Sequence, residues 1–363
     1  MISLNLPSGT ICPGLRELSW RAYPFDLPFH RLFLSPALTK LSFTCSSRNP
    51  EVLSRLPQVI LELNTFSLQS FQLQWNIPEG ASQEMESVTS SAVLRCGPDL
   101  KALSVLAPLS DAAVQHIMQL PNLVWWSARR GPPKTSDLSQ IGIFPRLKVL
   151  ELQGTLASLE WLPLLGESAR RAPTEQQSFS RDLTPALTVL DSSVAAPIDM
   201  TLMSSILPLH RLVILDLETS CSDTDGCTFG LTDDNVAEIT TALSNLHYAR
   251  FGRVCHSDSC KATVSSLLFL SVRCKNLGTL EIHFNTGNLR DDLKSIPENP
   301  QLRNLCALPR CQLGSLRVSL APLRSEEYEE LARGFHFIFP SLRGIAGVHS
   351  GWAGVSSRLS NRA

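Results

Sequence analysis

The chain is 363 residues long, 43% hydrophobic and 18% charged, with 32 Lys and Arg against 33 Asp and Glu for a net charge of −1. The apolar share suffices for a buried core and excludes wholesale disorder. The balanced charge excludes a broad nucleic-acid or anionic-membrane footprint.

Read from the N-terminus, Met1 to Pro7 has no basic region and no sustained apolar run, so no signal peptide is expected. Cys12-Pro13-Gly14-Leu15-Arg16-Glu17-Leu18-Ser19-Trp20 then introduces a phrase that recurs along the whole chain: Leu-x-x-Leu-x-apolar. Copies start at Leu38, Leu68, Leu100, Leu123, Leu147, Leu187, Leu212, Leu246, Leu277, Leu313 and Leu342. About one residue in six is leucine, and this phrase is where the excess goes. Leu15 to Leu38 and Leu100 to Leu123 are 23 residues, Leu123 to Leu147 is 24 and Leu187 to Leu212 is 25. These spacings are a leucine-rich-repeat period. Longer gaps, 40 residues from Leu147 to Leu187 and 36 from Leu277 to Leu313, imply inserted loops or longer helices. Within the phrase the last two apolar positions alternate with period two and point one way from a short strand. One such strand buries little. Stacked in parallel, the strands share a continuous apolar spine.

Helix signals fall between the strands. Ser110 caps a helix opening Asp111-Ala112-Ala113-Val114, with Leu109 placed to staple to Val114. Asp199 precedes a helix over Met200–Leu207, Thr232 one starting Asp233-Asp234-Asn235, Thr263 one over Val264–Cys274, and Ser325 one over Glu326–Arg333. Asn76–Ser82 reads as a short polar loop, and 166–184 as a mobile inserted loop. Alternating strand and helix over about twelve repeats predicts an α/β fold: a right-handed leucine-rich-repeat solenoid, or horseshoe, with parallel strands on the concave face and helices on the convex one. A single domain over 1–363 is expected. The densest apolar run, Leu267-Leu268-Phe269-Leu270, is too short to span a bilayer.

The residues flanking the inward pair of each strand should line the concave face. The candidate partner-binding residues are Trp125, Arg129, Glu151, Gln153, Asp191, Asp216, Glu218, Tyr248, Arg250, Glu281 and His283. Glu151, Asp191 and Asp216 sit at one offset in consecutive phrases and are expected to form an acidic ladder on strands about 4.8 Å apart. Such a ladder, edged by Trp125 and Tyr248, would select a protein target with a basic segment. The competing reading is a solvated strand face with screened carboxylates.

Little points to chemistry. Cys221, Cys227, Cys255, His256 and Cys260 offer ligands for a tetrahedral zinc, but the spacing is not that of a finger and the two loops differ in length. Chance clustering is the expectation, with no cofactor. Asp223-Thr224-Asp225-Gly226 lacks the remaining ligands of a calcium loop. No phosphate loop, nucleophile elbow or His-Glu-x-x-His occurs, so a non-catalytic module without nucleic-acid or membrane partners is expected. Ten cysteines without an export signal point to reduced thiols in the cytoplasm or nucleus.

Several stretches, in order, resemble the leucine-rich-repeat region of fungal F-box proteins, especially the basidiomycete group. They are Leu15 to Trp20 followed by Phe29 to Leu38, Leu109 to Val114 followed by Leu120-Pro121-Asn122-Leu123, Leu267 to Leu277, Leu280 to Thr286, Asp291 to Lys294, and Ala307 to Cys311. The resemblance spans nearly the full chain. It implies a substrate receptor of an SCF-type ubiquitin ligase, whose repeats hold the target while an N-terminal F-box docks on the ligase adaptor. The chain departs from the pattern at its start: fourteen residues precede Leu15, and Leu6-Pro7-Ser8-Gly9 does not continue helically. The F-box is therefore expected to be absent, and the adaptor to be a partner only if the full-length protein carries one. The alternative is a ligase-independent scaffold or adaptor of the same fold.

Overall fold

The structure is a computed structural model. It describes residues 11–22, 32–45, 58–59, 62, 67–75, 82–107, 109–128, 146–153, 186–191, 198–207, 209–210, 212–219, 229–251, 260–285, 289–296, 298–299, 302, 304–305, 307–318, 325–347 and 351–361. These fall into two compact units, one reaching Gln153 and one starting at Ala186.

The first unit holds strands β1 (Glu17–Ala22), β2 (Lys40–Cys45), β3 (Ser70–Trp75), β4 (Ala102–Val105), β5 (Trp125–Ala128) and β6 (Val149–Gln153), with helices α1 (Ser82–Leu94) and α2 (Asp111–Gln119). Each strand pairs in parallel with the next. The register follows the repeated phrase: Leu18, Leu41, Phe71, Leu103, Trp126 and Leu150 form one row. From Leu41 to Leu150 that row is buried, as are Phe43, Leu73, Val105 and Ala128 two residues further on. Helices α1 and α2 pack on each other.

The second unit repeats the plan. It runs β7 (Ala186–Asp191), α3 (Met200–Ile206), β8 (Ile214–Thr219), α4 (Asp233–Ala242), β9 (Tyr248–Phe251), α5 (Val264–Arg273), β10 (Thr279–Ile282), α6 (Leu289–Ser295), β11 (Ser315–Val318), α7 (Tyr328–Ile338), β12 (Gly344–Gly347) and α8 (Gly351–Ser360). All its strand pairs are parallel and sequential. Leu215, Ala249, Leu280, Leu316 and Ile345 make the inward row, all buried. Helices α4 and α5, α5 and α6, α6 and α7, and α7 and α8 pack in succession. Each unit is thus an α/β leucine-rich-repeat solenoid, with the spine the phrase predicts.

The backbone explains why the phrase needs its first leucine. In repeat after repeat that residue closes a tight turn: the N–H groups of Leu38, Leu100, Leu212, Leu277 and Leu342 donate to the carbonyl three residues back. The side chain then drops into the core, and all five are buried. At eight of the strand junctions among the described residues one carbonyl accepts from two successive N–H groups of the following repeat. Lys101 O takes Val124 and Trp125, Val213 O takes His247 and Tyr248, and His247 O takes Gly278 and Thr279. This shared acceptor locks register at the start of these strands, where slippage by one residue would turn the leucines outward.

The caps follow the sequence in four helices. Ser110 accepts from Ala113 N, Asp199 from Leu202 N and Thr263 from Ser265 N, while Thr232 and Asn235 form a reciprocal capping box. The predicted start at Ser325 is corrected. Ser325–Glu327 is a 3₁₀ turn, the helix begins at Tyr328, and no side chain caps it. Its acidic first turn supplies the favourable end charge instead. Helices α1 and α8 carried no strong sequence signal. Ser82, expected in a loop, is the first residue of α1, and the proposed inserted loop 166–184 lies outside the described residues.

Candidate functional site

One face of each sheet is covered by the buried row, and the alternate positions form the open face. In the second unit this face is charged and in register. Asp216, Arg250, Glu281, Arg317 and Ala346 lie side by side on β8 to β12. Arg250 Nε forms an ion pair with Asp216, 3.0 Å from Oδ1, and lies 3.7 Å from Glu281 Oε2, which is itself 3.5 Å from Arg317 Nη1. Arg250 Nε also meets the Tyr248 hydroxyl at 3.1 Å. Burial works against the Arg250 charge, but the Tyr248 hydroxyl, Asp216 and Glu281 together more than offset it and hold the guanidinium above its ordinary range. Two residues earlier on each strand, Ile214, Tyr248, Thr279, Ser315 and Gly344 make a parallel row of low charge.

This arrangement corrects the expected acidic ladder. In β7 it is Leu187 that pairs with Leu215, so the phrase there is displaced by three residues, and Asp191 pairs with Thr219. Thr188 is the residue opposite Asp216. Asp216 has a cation as its other neighbour, and the row alternates in sign. Opposite charges directly across parallel strands attract where like charges would repel. The row is balanced, so selection of a Lys/Arg-rich segment by an acidic centre does not follow from it. Spacing within the phrase puts Arg250, Glu281 and Arg317 at the offset of Asp216, but it could not show the displacement of β7, because a strand can slide relative to its leucines without changing their number.

His283 is also corrected. It continues the open-face count from Glu281, yet it is 3% exposed and its ring stands 6.3 Å from Phe229. The strand ends at Ile282, so period-two alternation stops one residue too soon. Beyond it, Asn285 N donates to Ala262 O and the chain turns in towards α5.

In the first unit the matching rows are largely uncharged beyond β2. Trp125 pairs with Ala102 and Val149, and Ser127 with Ser104 and Glu151. Trp125 and Glu151 are partly exposed, whereas Ser104 and Ser127 are buried despite their outward register. Gln72 is the register neighbour of Ser104, and Glu151 that of Ser127. Lys40 and Glu17 pair at 2.6 Å at the β1–β2 end. Gln153 lies on β6 and Glu218 on β8, while Arg129 lies outside the described residues.

Cys260 is buried, and Cys221, Cys227, Cys255 and His256 lie outside the described residues. Among the described residues no helix is long and apolar enough to cross a membrane.

The class defined by this register and burial is the α/β leucine-rich-repeat protein. No family model matches the chain, and no curated protein matches it. Among solved structures it is similar to the leucine-rich-repeat-containing protein LegL7 from Legionella pneumophila, at 10% identity and a TM-score of 0.42, over 96% of this chain and 98% of that one. It is also similar to a chain of the Toll–Spatzle complex of Drosophila, at 12% identity and a TM-score of 0.20, over 93% of this chain and 62% of that one.

Proposed function

We propose that the chain is a protein-recognition module that holds its target on the open strand face, as the substrate-receptor part of an SCF-type ubiquitin ligase. The observation that carries the recognition reading is the in-register pair of rows in the second unit. A line of low charge running through Ile214 and Tyr248 lies beside the alternating line Asp216–Arg250–Glu281–Arg317. Partly desolvated, geometrically fixed charges next to an aromatic anchor favour one register of partner over others. Trp125 and Glu151 offer a second contact of the same kind on the first unit. A partly exposed sheet face suits a macromolecule better than a small substrate, which needs convergent groups in a concavity. The ligase role rests on the residue order resembling F-box proteins, and it carries the expectation of a cytoplasmic or nuclear protein.

The test is a photo-crosslinking amino acid placed at Tyr248 and, as control, at Glu238 on the exposed side of α4. A discrete adduct is expected from Tyr248 and none from Glu238, and Arg250→Glu should remove it. Equal crosslinking from both positions would refute recognition by the strand face. The ligase role is tested separately, by co-purifying the product of the full-length gene with the ligase adaptor. Adducts without adaptor would leave a ligase-independent scaffold as the function.

A further inference from the structure

The charged row of the second unit is balanced in sign but not in exposure. The Asp216 and Glu281 side chains are 13% and 15% exposed, and both lie against the Arg250 guanidinium. The Arg317 side chain is 62% exposed. Its ion pair is with Glu281 at 3.5 Å, a carboxylate that Arg250 already shares. Beyond β10 the open face therefore shows water a cation, while the compensating carboxylates are sheltered. The far side of Arg317 adds no counter-charge. Its register neighbour on β12 is Ala346, and neither β11 nor β12 carries an Asp or Glu. Arg343 directly precedes β12, is exposed, and has no ion pair among the described residues. Gly344 and Ala346 raise nothing larger than a methyl group beside the guanidinium. In the neighbouring row Ile214 stays accessible, and Tyr248 is half-buried.

We propose that the segment of partner protein held on this face crosses the strands in extended form, with a carboxylate over Arg317 and an apolar side chain over Ile214 and Tyr248. This partner chemistry presupposes recognition by the strand face and gives it a sign and a spacing. The sign is opposite to that of the basic segment expected from the sequence. A guanidinium has five N–H donors, and Glu281 engages this one at Nη1, so Nε and Nη2 are left for an incoming carboxylate. Two exposed guanidinium groups are too few to follow a phosphate backbone, which favours a protein over a nucleic acid. The spacing follows from the register. Ile214 is three strands and two residues away from Arg317, and Tyr248 two strands and two residues. Strand separation and rise make these distances about 16 Å and about 12 Å. An extended segment spans them in about four or five residues.

The experiment selects from a phage library of random peptides of about twelve residues on the immobilised full chain. Peptides that Tyr248→Ala fails to capture are those held on the strand face. These should carry Asp or Glu four or five residues from an aromatic or aliphatic residue, in either direction, at about tenfold the frequency of the starting library. A selected peptide, labelled for fluorescence anisotropy, should bind Arg317→Gln about tenfold less tightly. The same loss is expected when its acidic residue is replaced by the amide. Arg317→Glu should restore binding once that residue is exchanged for lysine. Arg317 is on the surface, and circular dichroism verifies that the variants fold. Should Arg317→Glu misfold beside Glu281, the Arg317→Gln comparison decides alone. Tyr248-dependent peptides with no acidic preference, or with affinity unchanged by Arg317→Gln, would overturn the proposal and leave strand-face recognition standing. If no selected peptide depends on Tyr248, both fall.

Discussion

Individual side chains in this protein behave according to how far they are removed from water. Burial pushes the Cys96 and Cys274 thiols up to about 12 and Cys311 to about 11. Such thiols stay protonated at neutral pH and are poor nucleophiles. In a thiol-titration experiment Cys12, which is exposed, should react at once, while Cys274 and Cys311, which are buried, should react only after denaturant is added. Mass spectrometry of the labelled peptides gives the assignment. Asp292 shows the opposite sign of consequence. Burial first, then the carboxylates of Asp233 and Asp291, raise its pKa above the ordinary 3.8. A carboxyl that binds its proton more tightly when folded favours folding below its unfolded pKa and costs stability as pH rises through the raised value. Asp292→Asn is therefore expected to raise the melting temperature at pH 7, with the gain fading as pH falls below the ordinary aspartate range of about 4. Thermal denaturation at the two pH values decides it.

Between elements, the helices are tied together by more than apolar packing. Asp233, in the first turn of α4, reaches the start of α5. Its carboxylate accepts from Thr263 N at 2.8 Å, Thr263 Oγ1 at 2.7 Å and Ser266 Oγ at 2.5 Å. At the other end Arg273 of α5 donates back to Thr241 Oγ1 at 2.7 Å and to the Ala237 carbonyl. Each helix thereby helps terminate its neighbour, as expected where a repeat cannot bury its surface alone. Asp233→Ala removes a charged acceptor shared by three donors and should cost about 2–3 kcal/mol in chemical denaturation. Asp233→Asn, which keeps one acceptor, should cost less. The last repeat closes differently. A Cβ on Gly347 would stand 2.5 Å from a ring carbon of the buried Trp352, so β12 accepts only glycine there without moving α8.

At the scale of the molecule, repeats in series share stability with their neighbours. Leu18 and Trp20 of β1 are only partly buried, whereas Leu41 and Phe43 of β2 are buried. The proposal that residues 1–363 act as one repeat domain expects a single calorimetric transition on heating, and two resolved transitions would reject it. Within the first unit, hydrogen exchange should be faster in β1 than in β2 to β4, since the inward side chains of β1 are less buried.

The number of strands, the inward leucines and four of the helix caps were legible in the sequence because each depends on local spacing. A leucine three residues after a turn, or a Ser, Thr or Asp just before a helix, acts through atoms close by in the chain. The row Asp216, Arg250, Glu281 and Arg317 follows the same spacing, each four residues after its phrase leucine. The displacement of β7 was not legible: whether Asp216 meets Asp191 or Thr188 depends on how whole strands slide against each other, and that is decided by backbone hydrogen bonds between repeats. The burial of His283 has the same origin. It lies where regular alternation ends, and only the tertiary packing of neighbouring repeats determines which side chains there reach water.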